Sequence, residues 1–174
     1  MKIKIGFSTS NSIISKLIRW FTKSEVSHAY IEVYDEFLQI NLIIHADFQG
    51  IIIQLAKEFD IGNRRLEEYE IDDIRLDNTL KDNLWYLGKK YDYFKFINFA
   101  FFIIFKRWLI RKVKNPYIDP QKLVCVDFIL YILNGAKIIS LPIGYLTPKF
   151  FKDWCKENYE NLNWKRKIYD NIAK

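Results

Sequence analysis

The sequence predicts an α+β protein, an antiparallel sheet packed against helices, and three observations carry the prediction. Apolar and polar residues alternate as strands through most of the chain up to Ile71, helical periodicity dominates after Asp77, and the strand candidates between Ser27 and Leu55 are separated only by short breaks. At 174 residues the chain is the size of one domain and long enough to bury a core unaided. Half of it is apolar, 17% aromatic and 28% charged, a composition of compact folds and not of disordered chains.

Residues Lys2 to Phe7 alternate as a first strand, and Ser8 to Ser12 offer N-caps for a helix through Ile13, Leu17, Ile18 and Phe21, ending near Lys23. Ser27 to Tyr34, Leu42 to Ala46 and Ile51 to Leu55 are rich in β-branched and aromatic residues, with breaks at Asp35-Glu36 and at Asp47 to Gly50. They read as an antiparallel meander. A strand at Glu68 to Ile71 extends the sheet, and Asp77 caps a helix through Leu80, Leu84 and Leu87, closed by Gly88. Leu123 to Leu133 forms a compact apolar helix stopped by Asn134-Gly135, with Cys125 in its first turn. Thr147-Pro148 then starts a last helix carrying Phe150, Phe151 and Trp154 on one face.

Charge and composition bound the partners. A net charge of +6 favours anionic surroundings such as lipid headgroups or cell-wall polymers. Without an Arg-Gly tract or zinc-finger spacing, nucleic acid is the weakest candidate. Two scattered cysteines, Cys125 and Cys155, suit a reducing compartment, and the start MKIKIGFSTS lacks a signal-peptide core, which together point to the cytoplasm. Phe94 to Ile110 is strongly apolar, but Lys95, Asn98, Lys106 and Arg107 break it into runs too short to span a bilayer. Residues 94–114 read instead as an aromatic helical insertion with a basic end, whose functional reading is contact with a membrane interface or an acyl chain.

The candidate chemistry rests on three side chains. A thiol attacks as thiolate, and the positive end of a helix beside an imidazole is the setting that favours that form. Cys125 has the helix position, and the free N–H groups of the same turn are suited to an oxyanion. His28 opens the strand Ser27-His28-Ala29-Tyr30-Ile31, while His45 closes the next one, Ile43-Ile44-His45-Ala46. In an antiparallel pair the beginning of one strand lies beside the end of its neighbour, so the two imidazoles can meet as base and orienter. The rival reading of the same trio is a zinc site completed by Asp47 or Glu32. Cys155, after Trp154, has no histidine near it in sequence and reads as structural.

The stretch SHAYIEVYDEFLQINLIIHADFQGIII resembles the strand, hairpin and His-Ala strand segment of NlpC-type papain-like hydrolases. Here the cysteine follows the histidine, the order of the circularly permuted YiiX/YebB-like branch, which is distantly related to lecithin:retinol acyltransferase-like enzymes. The segments LGKKYDY, LVCVDFILYIL and LTPKFFKDW are similar to further motifs of that branch, in the same order.

The resemblance implies a permuted papain-like fold over residues 1–174 and a cysteine peptidase or amidase that needs no metal or cofactor. It implies Cys125 as nucleophile, His28 as general base and acid, His45 as the residue orienting His28, and Tyr91 beside the oxyanion. Because the permuted branch often carries Glu where this sequence has His45, Glu32 and Asp47 are alternative orienting residues. The implied substrate is a peptide amide of the peptidoglycan type, with an acylated lipid as the alternative. A binding module that has lost turnover is the non-enzymatic one.

Overall fold

The computed structural model describes residues 2–47, 50–88, 125–144 and 146–169. Among them, strands β1 (Lys2–Ser10), β2 (His28–Asp35), β3 (Ile40–Asp47), β4 (Gly50–Leu55), β5 (Asn63–Asp72) and β6 (Lys165–Ile168) form one sheet in the order β4-β3-β2-β1-β5-β6. Every neighbouring pair is antiparallel. Five helices accompany it: α1 (Ile13–Thr22), α2 (Ala56–Gly62), α3 (Arg75–Asn83), α4 (Cys125–Gly135) and α5 (Pro148–Asn158). The α+β class read from the sequence is the class observed, and β2-β3-β4 is the expected meander.

Alternation along the strands gives the sheet two unlike faces. On one face Ile3, Ile5, Phe7, Ala29, Ile31, Ile44, Ala46, Tyr69 and Ile71 are buried beneath α4 and α5. Helix α4 is covered almost all round, and even Asp127 is fully buried, its Oδ1 accepting the Gly144 N–H at 2.7 Å to hold the loop before α5. The opposite face is polar apart from a small cluster of Tyr30, Ile43 and Phe59 under α2. Here Lys4 (2.5 Å) and Arg65 both hold Glu32, while Glu68 receives Arg65 (2.6 Å), the Tyr30 hydroxyl (2.7 Å) and the Tyr169 hydroxyl (2.6 Å).

Several expected elements differ. Helix α2 goes unseen in the sequence because only Phe59 of its seven residues is buried, too little to show a helical stripe. Strand β5 starts at Asn63 and not at Glu68, and it pairs with β1. Its charges looked like a strand boundary, yet they are neutralised in place, Glu68 as above and Glu67 by Arg166 and the Tyr69 hydroxyl. Helix α3 starts at Arg75, so Asp77 lies inside it, and it ends at Asn83 before a 3-10 turn over Leu84–Tyr86. In α5 the Thr147 hydroxyl caps Phe150 N and Pro148 occupies the first turn as expected, but Phe150 is exposed while Phe151 is buried. Residues 94–114 and Tyr91 lie outside the described residues. No helix among the described residues is long and apolar enough to cross a membrane.

Candidate active site

The β2-β3 register sets Tyr30 opposite His45, which leaves His28 just beyond the last paired position, on the same face of the sheet. The rings meet there. His28 Nε2 lies 3.0 Å from His45 Nδ1, the ring planes nearly perpendicular at 84°. Phe59 of α2 packs against both, at centroid distances of 5.2 Å to His45 and 6.3 Å to His28.

A third polar residue continues the line. Gln54 Nε2 lies 3.0 Å from His45 Nε2, so Gln54, His45 and His28 form one hydrogen-bonded chain. Gln54 was missed from sequence. Its signal was a lone amide in the apolar strand Gly50–Leu55, two places from Ile52, the residue opposite His45.

The amide fixes the direction of protons along this chain. With the Gln54 nitrogen toward His45, His45 donates from Nδ1 to His28 Nε2, and the proton of His28 sits on Nδ1. With Gln54 Oε1 toward His45 the sequence reverses: His45 donates from Nε2, His28 donates from Nε2, and His28 Nδ1 carries a lone pair. Only the second arrangement makes His28 a base. Because Nε2 is committed to His45, Nδ1 is the nitrogen left for chemistry, and it has no hydrogen bond among the described residues.

Burial disfavours the charged form of both rings. His28 is lowered to about 3, by desolvation and then by repulsion from His45. His45 is lowered to about 4 by desolvation, against an opposing pull from Asp47. Both imidazoles are therefore neutral at pH 7. They border a cleft of about 430 Å³ whose lining also includes Gln54, Asp47, Ser27 and Ile14. The hydroxyls at its floor are linked, Ser15 Oγ lying 2.6 Å from Ser27 Oγ. Ser8, directly across from His28, has a fully buried hydroxyl with no partner among the described residues.

Cys125 approaches from the other side of the sheet. Its thiol is buried, and the backbone amides of Ala29, Val126 and Cys125 itself act on it. Those amides favour thiolate. Desolvation outweighs them and, with repulsion from Asp127, pushes the thiol up to about 11. Among the described residues the sulfur makes no hydrogen bond to either imidazole, and Cys125 does not line the cleft. Cys155 is fully buried in the core, its thiol pushed well above the ordinary range by burial and then by Glu67.

The alternative orienting residues are placed differently. Glu32 is engaged by Lys4 and Arg65 on the sheet's polar face, whereas Asp47 lines the cleft and acts electrostatically on His45. No group of three or more His, Cys, Asp or Glu side chains among the described residues is placed to hold a metal ion. Comparison with family models and with curated proteins returned no match.

Proposed function

We propose that the chain is a papain-like cysteine hydrolase that cleaves an amide bond, with Cys125 as nucleophile, His28 as general base and acid, and His45 held by Gln54 as the orienting pair. The observation that carries this reading is the ordered line Gln54, His45, His28. A base held by a second group that is itself held is the arrangement nucleophilic catalysis requires.

The first step requires Gln54 Oε1 to be turned toward His45, leaving a lone pair on His28 Nδ1; when the thiol and Nδ1 come together at the start of β2, the proton passes from sulfur to nitrogen. The thiolate then attacks the amide carbonyl, and the oxyanion is met by free N–H groups in the first turn of the Cys125 helix. Collapse of the tetrahedral intermediate breaks the C–N bond. His28 returns the proton to the departing amine, leaving a thioester on Cys125. Water, deprotonated by His28, attacks the thioester and releases the acid and the thiol. His45 and Gln54 steady the imidazolium during both transfers, and no metal takes part in these steps.

The substrate class proposed is a peptide amide of the peptidoglycan type. Purified cell-wall stem peptides incubated with the protein should yield a new free amine and acid, detected by mass spectrometry. Cys125→Ala should abolish the product, since the nucleophile accounts for several orders of magnitude in rate. Equal product from wild type and C125A, or none from wild type over a panel of such peptides, overturns the reading.

A further inference from the structure

Helix α1 stands the usual arrangement on its head. An amphipathic surface helix ordinarily turns its apolar stripe inward. In α1 the one buried residue is Ser15, tied to Ser27 Oγ (2.6 Å) and to the Ser10 N–H (3.1 Å), and Arg19 reaches back to the Ser10 carbonyl. The apolar side faces out. Ile13 is 76% exposed, Trp20 71%, and Ile14 and Leu17 42% each. Ile13, Leu17 and Trp20 follow the i, i+4, i+7 spacing of a single helical face, so the exposure is one continuous ridge.

Charge identifies what the ridge meets. The helix contains no acidic residue, and exposed Lys16 and Lys23 flank the apolar stripe. A short helix with a Trp-bearing apolar face bordered by lysines is the pattern of an element lying in the interface of an anionic bilayer. The chain's net charge of +6 acts in the same direction. A protein partner of comparable affinity would need a larger matched surface than four side chains supply, whereas a lipid interface needs only the apolar ridge and the flanking cations.

We infer that α1 docks the protein onto anionic lipid membranes by burying Ile13, Ile14, Leu17 and Trp20 in the headgroup boundary, with Lys16 and Lys23 on the phosphates. Ile14 and Ile18 of the same helix line the cleft that holds His28 and His45, so docking sets the cleft mouth beside the lipid surface. The inference does not depend on the hydrolase reading, because its test reads binding alone.

Flotation of the full chain with vesicles of phosphatidylglycerol, against vesicles of phosphatidylcholine only, tests it. Wild type should float with the anionic vesicles and much less with the neutral ones. Leu17→Glu/Trp20→Glu, which alters only outward-facing side chains, should lower the bound fraction roughly tenfold or more, with an unchanged circular dichroism spectrum and melting temperature. Lys16→Glu/Lys23→Glu should weaken anionic binding and leave the neutral background alone. Anionic binding unaffected by the L17E/W20E change overturns the inference. So does a wild-type dimer in sedimentation that L17E/W20E dissolves without any vesicle binding, which would make a second copy the occupant.

Discussion

The two histidines are the residues whose altered protonation makes stability depend on pH in the mildly acid range. Both are lowered from 6.5, His28 to about 3 and His45 to about 4. Below pH 6.5 the unfolded chain therefore takes up protons that the native chain refuses. Stability is full above that value and falls as the pH drops toward 4 and 3. Denaturant unfolding at pH 7 and pH 5 should show a loss of about 2–3 kcal/mol at the lower pH. A flat profile would mean that the rings are charged in the native state.

At this scale the histidine pairing was legible in the sequence. The positions of His28 and His45 at the start and end of consecutive strands were enough to predict that the rings meet. Gln54 was not legible, because a single amide in an apolar strand gains meaning only once the register sets it diagonal to His45. Nor could spacing give the side from which Cys125 approaches, which depends on how α4 crosses the sheet.

At the scale of elements, the sheet's polar face depends on close approach of a backbone to a ring. Tyr30 lies across Gly6, and a Cβ there would come within 2.0 Å of the tyrosine Cζ. The ring has nowhere to go, being fully buried, packed on Phe59 at 4.8 Å and hydrogen-bonded to Glu68. Gly6→Ala should accordingly cost about 1–3 kcal/mol, measured by denaturant unfolding, and disturb the His28 and His45 resonances, whose rings share Phe59 with Tyr30. An unchanged midpoint would show that the ring repacks freely.

Strands β1 to β3 were readable because one face of each is apolar and largely buried, and β4 from its run of isoleucines, although Ile53 is exposed. Helix α2 and strand β5 were not. The first buries one side chain, and the second hides its charges with partners from distant parts of the chain, Arg166 and Tyr169 among them. Helix α1 was placed correctly by its serine cap and periodicity, but the direction of its apolar face is a tertiary fact that periodicity does not contain.

Over the whole molecule, one sheet separates two chemistries. Its apolar face carries the core and the Cys125 helix, while its polar face carries Gln54, His45 and His28 and the Glu32, Arg65 and Glu68 network. The proposed catalytic pair is drawn from both faces at the start of β2, where His28 lies on the polar face and the backbone of its neighbour Ala29 acts on the Cys125 thiol.

Whether His28 and the Cys125 thiol act together is read from the pH dependence of Cys125 alkylation. With iodoacetamide and site-resolved mass spectrometry, Cys125 should react with an apparent midpoint well below the value of about 11 that burial and Asp127 impose against the pull of the backbone amides. It should react far faster than Cys155, and His28→Ala should move its midpoint upward. A Cys125 that titrates near 11, labels as slowly as Cys155 and is indifferent to the loss of His28 would contradict the account.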